Sequence, residues 1–304
     1  MFIFSFILGV NNCWAVKRYV EPEEWIEITA TKLEVDYVQF SFDLLDPRTG
    51  DSALNHTASK ILDCCRDYGI KIHSCFTGLA AYSYNLLLHP DPAMRRDAVE
   101  WYEKALVLAA KLKAEAVGGH IGAFSARDFR NERRREFLTS NLIETLTYLS
   151  SIGKRLGLKY LLWEPMPISR EPPTTIEDAK NLLSKANEES SIPVKLCVDV
   201  GHMCNPEVKS SRDLDPYAWL KDLGKDSLCL HLQQTDGKAD RHWPFTKEYN
   251  KIGVIKGDRV ISALKEGGSK LSYLFLEVIH PFEYPDDQVV KEIKESVEYW
   301  RSYI

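Results

Sequence analysis

Eight short apolar runs, each followed by a longer segment of helical periodicity, constrain this chain more than any other feature. The runs are Phe2–Val10, Tyr37–Phe42, Lys71–Cys75, Ala116–His120, Tyr160–Glu164, Val194–Asp199, Ser227–Leu232 and Tyr273–Val278. Their apolar residues fall on consecutive positions, the pattern of parallel strands covered on both faces by helices. Of the intervening segments, "EPEEWIEITATKL" opens with Pro and acidic residues, as a helix N-terminus does. "NHTASKILDCCRDYG" ends on Gly69, a C-cap signal, and "DPAMRRDAVEWYEKALVLAAKLKA" spaces its apolar residues three to four apart. Strand–helix alternation repeated eight times predicts the α/β class and a (β/α)8 TIM barrel. No linker, low-complexity tract or internal repeat interrupts it, so one domain is expected over residues 1–304.

The bulk numbers agree. A chain of 304 residues, 44% hydrophobic and 27% charged, suffices for one barrel and its core. A net charge of -5 lacks the basic footprint of a nucleic-acid binder. Seven cysteines, an odd number with no C-x-x-C pair, read as reduced, mostly buried thiols of a cytoplasmic protein. The opening "MFIFSFILGV" has no basic n-region and reads as the first strand rather than a secretory leader. No run reaches the ~18 apolar residues of a membrane span, so no membrane association is expected.

The chemistry gathers at strand ends, where barrels of this kind keep their active sites. The third strand is read as ending at His73, the fourth at His120, and the fifth at Glu164. The sixth ends at Asp199, with His202 three residues on, the seventh carries His231, and the eighth carries Glu277. A buried carboxylate ending an apolar strand is costly unless paired or bound to metal. One such residue is usually structural; six of eight strands ending in His, Asp or Glu point to one shared metal site. Glu164, Asp199, His231 and Glu277 alone make an oxygen-rich set suited to Mn²⁺ or Mg²⁺, with Co²⁺ tolerated. Adding His73, His120, His202 and the Asp240 and His242 of the triplet Asp240-Arg241-His242 makes a cluster suited to several Zn²⁺ ions. Both readings start from the same residues. The run Arg130–Arg135 reads as a solvated helix start, and Gly118-Gly119 as close backbone packing or close approach to a ligand. No P-loop, dinucleotide fingerprint or Ser/His/Asp nucleophile is present.

With these motifs assembled, the chain resembles the xylose-isomerase-like barrel superfamily over nearly its whole length. That group includes sugar isomerases, ketose 3-epimerases and endonuclease IV. "WEPM" at Glu164 looks like the E-P-L-N motif of ketose epimerases, and "DVGHM" at Asp199–Met203 is similar to their D-T-F-H-M motif. The D-R-H triplet and "YNLLLHP" look instead like endonuclease IV, whose nine ligands hold three zinc ions. The epimerase branch implies that Glu164, Asp199, His231 and Glu277 bind the metal, most readily Mn²⁺, and that Glu164 and Glu277 are also the acid/base pair. It implies that His202 contacts substrate; His73, His120 and Arg241 are read as lining the sugar pocket, and Asp240 and His242 as lining it or holding a second metal. A basic side chain is expected soon after the strand-7 histidine, and Arg241 departs from that pattern by lying inside D-R-H. The implied activity is isomerisation or epimerisation of a ketose or ketose phosphate, often in dimers or tetramers. The alternative is a zinc phosphodiesterase acting on abasic DNA.

Overall fold

The computed structural model describes residues 4–304. Eight parallel strands close a barrel in the order β1 to β8. They are β1 (Ser5–Asn11), β2 (Tyr37–Ser41), β3 (Lys71–Phe76), β4 (Ala116–Gly119), β5 (Tyr160–Trp163), β6 (Val194–Asp199), β7 (Ser227–Leu232) and β8 (Leu271–Leu276). Every expected strand is found within a few residues; of the first, Phe2 and Ile3 lie outside the described residues. The helices are α1 (Pro22–Glu27), α2 (Asp51–Tyr68), α3 (Pro92–Lys111), α4 (Ala126–Phe129), α5 (Glu132–Arg155), α6 (Ile176–Glu188), α7 (Pro216–Leu223), α8 (Lys247–Ile252), α9 (Gly257–Glu266) and α10 (Asp286–Arg301). The short α4 and α8 are additional to the helices that follow each strand. Both have side-chain caps, Ser125 Oγ accepting from the Asp128 N–H and Thr246 Oγ1 from the Tyr249 N–H. No helix among the described residues is long and apolar enough to cross a membrane.

Strand side chains alternate between two apolar environments, which explains the consecutive apolar pattern. Leu161 and Trp163, Leu196 and Val198, Leu230 and Leu232, and Leu274 and Leu276 join the large cluster beneath the helices. Tyr160, Leu162, Cys197, Cys229 and Phe275 join a second cluster that fills the barrel interior. The period of two is intact although neither face meets water. It also fixes the site: one inward position beyond Leu162, Cys197, Cys229 and Phe275 stand Glu164, Asp199, His231 and Glu277.

Two register shifts adjust this parity. Val38 pairs with Ile72 but Gln39 pairs with Ser74, so His73 is the extra residue of a bulge in β3. Leu196 pairs with Ser227 but Cys197 with Cys229, so β7 carries an extra Leu228. The second shift sets Asp199 beside His231.

The Gly118-Gly119 pair serves strand packing. A Cβ on Gly118 would lie 2.3 Å from the Leu162 Cβ, and one on Gly119, at φ +137°, 1.8 Å from Thr77 Oγ1. That close approach lets Thr77 Oγ1 accept the His120 N–H at 3.1 Å.

Candidate functional site

The four residues at the ends of β5, β6, β7 and β8 converge. Ligand atoms of Glu164, Asp199, His231 and Glu277 all lie within 4.8 Å of one another, and all four residues are buried. His231 Nδ1 is the centre: Glu164 Oε1 and Glu277 Oε2 each lie 2.9 Å from it, and Asp199 Oδ2 lies 4.0 Å away. The ring packs edge-on over Phe76 of β3 at 4.7 Å, which walls the site from below.

Partners of these groups come from the neighbouring strands and from the loops that follow them. His231 Nε2 lies 2.5 Å from Gln39 Oε1, an acceptor, so the proton sits on Nε2 and the Nδ1 lone pair faces the carboxylates. Gln39 Nε2 donates to Ser74 Oγ at 3.2 Å. Asn11 Nδ2 donates both to Gln39 Oε1 at 2.9 Å and to Glu277 Oε1 at 3.0 Å. Asp199 accepts from the Gly201 N–H at 2.6 Å and from Gln233 Nε2 at 3.1 Å. Tyr82 donates to Glu164 Oε2 at 2.8 Å.

Three carboxylates buried around one imidazole need positive charge, either a second proton on the ring or a divalent cation. One nitrogen cannot satisfy both glutamates, and Glu277 Oε2 has no hydrogen bond of its own among the described residues. The donor set of three carboxylates and one oriented imidazole fits a divalent metal ion. Burial pushes the Asp199 carboxyl up to about 6, with His202 and His242 opposing it.

A second group adjoins the first. Asp199, His202 and His242 also bring ligand atoms together. His202 Nδ1 donates to the Pro165 carbonyl at 2.9 Å, which turns Nε2 toward Asp240 Oδ2 at 3.4 Å. His242 Nε2 lies 3.1 Å from Asp240 Oδ2. Burial raises the Asp240 carboxyl, but His202 and His242 outweigh it and hold the group well below its usual range. Gln233 Nε2 donates to Asp240 Oδ1 at 2.6 Å, while its Oε1 accepts the His242 N–H.

His120, at the end of β4, is buried with Nδ1 3.4 Å from Glu171 Oε2, and neither atom has a hydrogen-bond partner among the described residues. Burial pushes the Glu171 carboxyl up to about 7. Two of the expected pocket residues lie elsewhere. Arg241 is exposed and paired with Asp236 at 3.1 Å, stacked 5.3 Å over Trp243. His73 sits in the β3 bulge below the mouth, stacked on Tyr273 at 3.8 Å and hydrogen-bonded to the Tyr160 hydroxyl. The strand continues three residues beyond it, so it cannot reach the ligand cluster. Arg130–Arg135 begins α5 as read, with Arg134 paired to Asp128 at 3.3 Å and Arg135 bonded to the Phe129 carbonyl.

The sequence reading passed over Asn11, Gln39, Tyr82, Glu171 and Gln233. Asn11 and Gln233 carried a signal: each is an amide just past the end of an apolar run, where the rule applied to His, Asp and Glu would have selected it, whereas Gln39 lies inside the run Tyr37–Phe42.

Residues 29–303 match the family model of the xylose isomerase-like TIM barrel. A D-erythrulose 1-phosphate 3-epimerase from Brucella abortus (strain 2308) is 29% identical over 303 residues, covering 98% of this chain and 96% of the relative. A candidate xylose isomerase from Rhodospirillum rubrum superposes with a TM-score of 0.91 at 32% identity, over 99% of this chain and 100% of the other. A D-psicose 3-epimerase from Clostridium cellulolyticum H10, solved with D-tagatose, superposes with a TM-score of 0.72 at 16% identity over 99% of each chain, a likeness of fold.

Proposed function

The chain belongs to the xylose isomerase-like TIM-barrel family, and from that premise we propose that it is a metal-dependent epimerase of a short ketose or ketose phosphate, inverting the carbon next to the carbonyl. One observation carries this reading. Glu164 and Glu277 flank His231 Nδ1 at 2.9 Å each, from β5 and β8, and each keeps one oxygen apart from that contact. Two carboxylates on either side of one cation-seeking centre are the equipment of a two-base proton transfer. The 29% identity to an erythrulose-phosphate 3-epimerase, spanning nearly the whole of both chains, supports the 3-epimerase form.

Glu164, Asp199, His231 and Glu277 would hold the metal, and the carboxylate-rich set favours Mn²⁺, with Mg²⁺ or Co²⁺ accepted. When bound, the ion supplies Lewis-acid stabilisation of negative charge on adjacent substrate oxygens. The protein's part is the proton. One glutamate removes the C3 proton, the electron pair delocalises toward the C2 carbonyl, and the other glutamate returns a proton to the opposite face. His202 and Glu171, buried beside Glu164, offer polar contacts for substrate hydroxyls. The zinc phosphodiesterase reading has weaker support: His73 lies outside the cluster, and a net charge of -5 disfavours a duplex.

The test is incubation in deuterium oxide with tetruloses, pentuloses, hexuloses and their phosphates. Deuterium at the carbon next to the carbonyl in at least one sugar is expected. No incorporation into any of them would sink the reading.

A further inference from the structure

We propose that Tyr82 is a positioning residue: its phenol orients the Glu164 oxygen turned away from His231 for proton transfer, and the segment Gly78–Tyr84 delivers it. The proposal rests on Glu164 being one of the two bases.

The geometry is specific. The Tyr82 hydroxyl donates to Glu164 Oε2 at 2.8 Å, the oxygen that does not face His231. Its ring stacks on His120 with centroids 5.4 Å apart and planes at 20°. His120 is in turn fixed by its N–H to Thr77 Oγ1, immediately before the segment begins.

The segment itself is latched by one side chain. Asp43, in the loop after β2, accepts the Leu79 N–H at 2.6 Å and the Ala80 N–H at 3.3 Å. Gly78 packs so tightly on this carboxylate that a Cβ would lie 2.2 Å from the Asp43 Cγ. The outer side of the segment meets a cavity of about 390 Å³, bounded by Arg48, Asp97 and Trp101. With space outside, the segment is held over the barrel mouth by the Asp43 latch, by the Tyr82 contacts and by His120 Nε2, 3.3 Å from the Tyr84 carbonyl. Asp43 is therefore a positioning residue.

Glu277 has no such partner. Its Oε1 takes the Asn11 amide, from a strand rather than a loop, and its Oε2 has no hydrogen bond among the described residues. The two bases are thus supported unequally, and this asymmetry is measurable. In the epimer deprotonated by Glu164, the C3–H bond breaks toward Glu164 Oε2. In the other epimer the proton goes to Glu277. Reprotonation on the original face after exchange with solvent labels each epimer through its own base alone.

The experiment compares wild type, Tyr82→Phe and Asp43→Ala with D-erythrulose 1-phosphate and with its C3 epimer, or with the panel ketose that exchanges fastest. In Tyr82→Phe, epimerisation should fall roughly 10- to 100-fold, the size of a lost charged hydrogen bond. Deuterium wash-in should fall with it for one epimer and persist near the wild-type rate for the other. KM should change less than about threefold, and any loss of Mn²⁺ affinity, measured by calorimetry, should be smaller than the loss of turnover. Asp43→Ala should reproduce the asymmetry, and it decides the matter alone if Tyr82→Phe does not fold. Equal slowing of both epimers, or wild-type turnover in Tyr82→Phe, overturns the role of Tyr82 and leaves the proposed activity standing. Absence of exchange in wild type overturns both.

Discussion

The Nε2 of His231 lies 2.5 Å from Oε1 of Gln39, across the barrel from β7 to β2. Because an amide oxygen only accepts, this contact selects the imidazole tautomer and aims Nδ1 at Glu164 and Glu277. Gln39→Leu should weaken Mn²⁺ binding by roughly 10- to 100-fold while the chain stays folded. Calorimetric titration together with circular dichroism checks this, and unchanged affinity would show that the ring orients itself without Gln39.

Glu164→Gln and Glu277→Gln should each remove turnover, by roughly 10²-fold or more, without loss of structure. Each replacement keeps the shape of the side chain and deletes a buried negative charge from a cluster of three. Thermal unfolding of the metal-free variants should therefore occur no lower than that of metal-free wild type. Near-wild-type activity in either variant contradicts its role as a base.

Removing metal with a chelator should lower the melting temperature, and Mn²⁺ should restore it. An ion present at about 100 times its Kd stabilises the folded state by about 2.7 kcal/mol, several degrees for a chain of this size. Elemental analysis of the protein as purified should give about one ion per chain, the stoichiometry of a single four-residue centre. About three zinc ions per chain would favour the phosphodiesterase reading instead.

His73 makes a pH prediction away from the metal. Burial pushes its imidazole down to about 3, so the folded protein keeps it neutral where the unfolded chain, near 6.5, takes up a proton. A depressed histidine of this kind costs nothing above pH 6.5 and costs stability as pH falls from 6.5 toward 3. The slope is about 1.4 kcal/mol per pH unit over that window. His73→Gln should unfold less steeply with acid than wild type in urea titrations between pH 4 and 7, whatever its stability at neutral pH. Parallel acid limbs would refute the assignment.

The barrel was legible in the sequence because strands buried on both faces leave near-continuous apolar runs, as in Tyr160–Trp163 and Tyr273–Leu276, and such runs alternate with helical segments eight times. The cluster of Glu164, Asp199, His231 and Glu277 was legible because a carboxylate or imidazole at the end of such a run has few other uses. His73 misled for a definable reason. It is the bulge residue of β3, and an inserted residue changes which side chains face inward without changing composition. Arg241 misled because proximity in sequence to Asp240 and His242 says nothing of direction, and Asp236 turns its guanidinium outward. Tyr82 was out of reach of pattern reasoning. It lies 82 residues from its partner, in a loop whose course depends on Asp43.

Asn11 touches both Gln39 and Glu277, and so joins the first strand to the second and to the end of the eighth at the point where the ring shuts. Closing the cylinder and orienting the candidate ligand cluster therefore share one side chain. A chain whose first strand had not docked on its last would lack the Asn11 contacts that hold Gln39 and Glu277, so a divalent ion at the proposed site would favour the closed barrel over the open one.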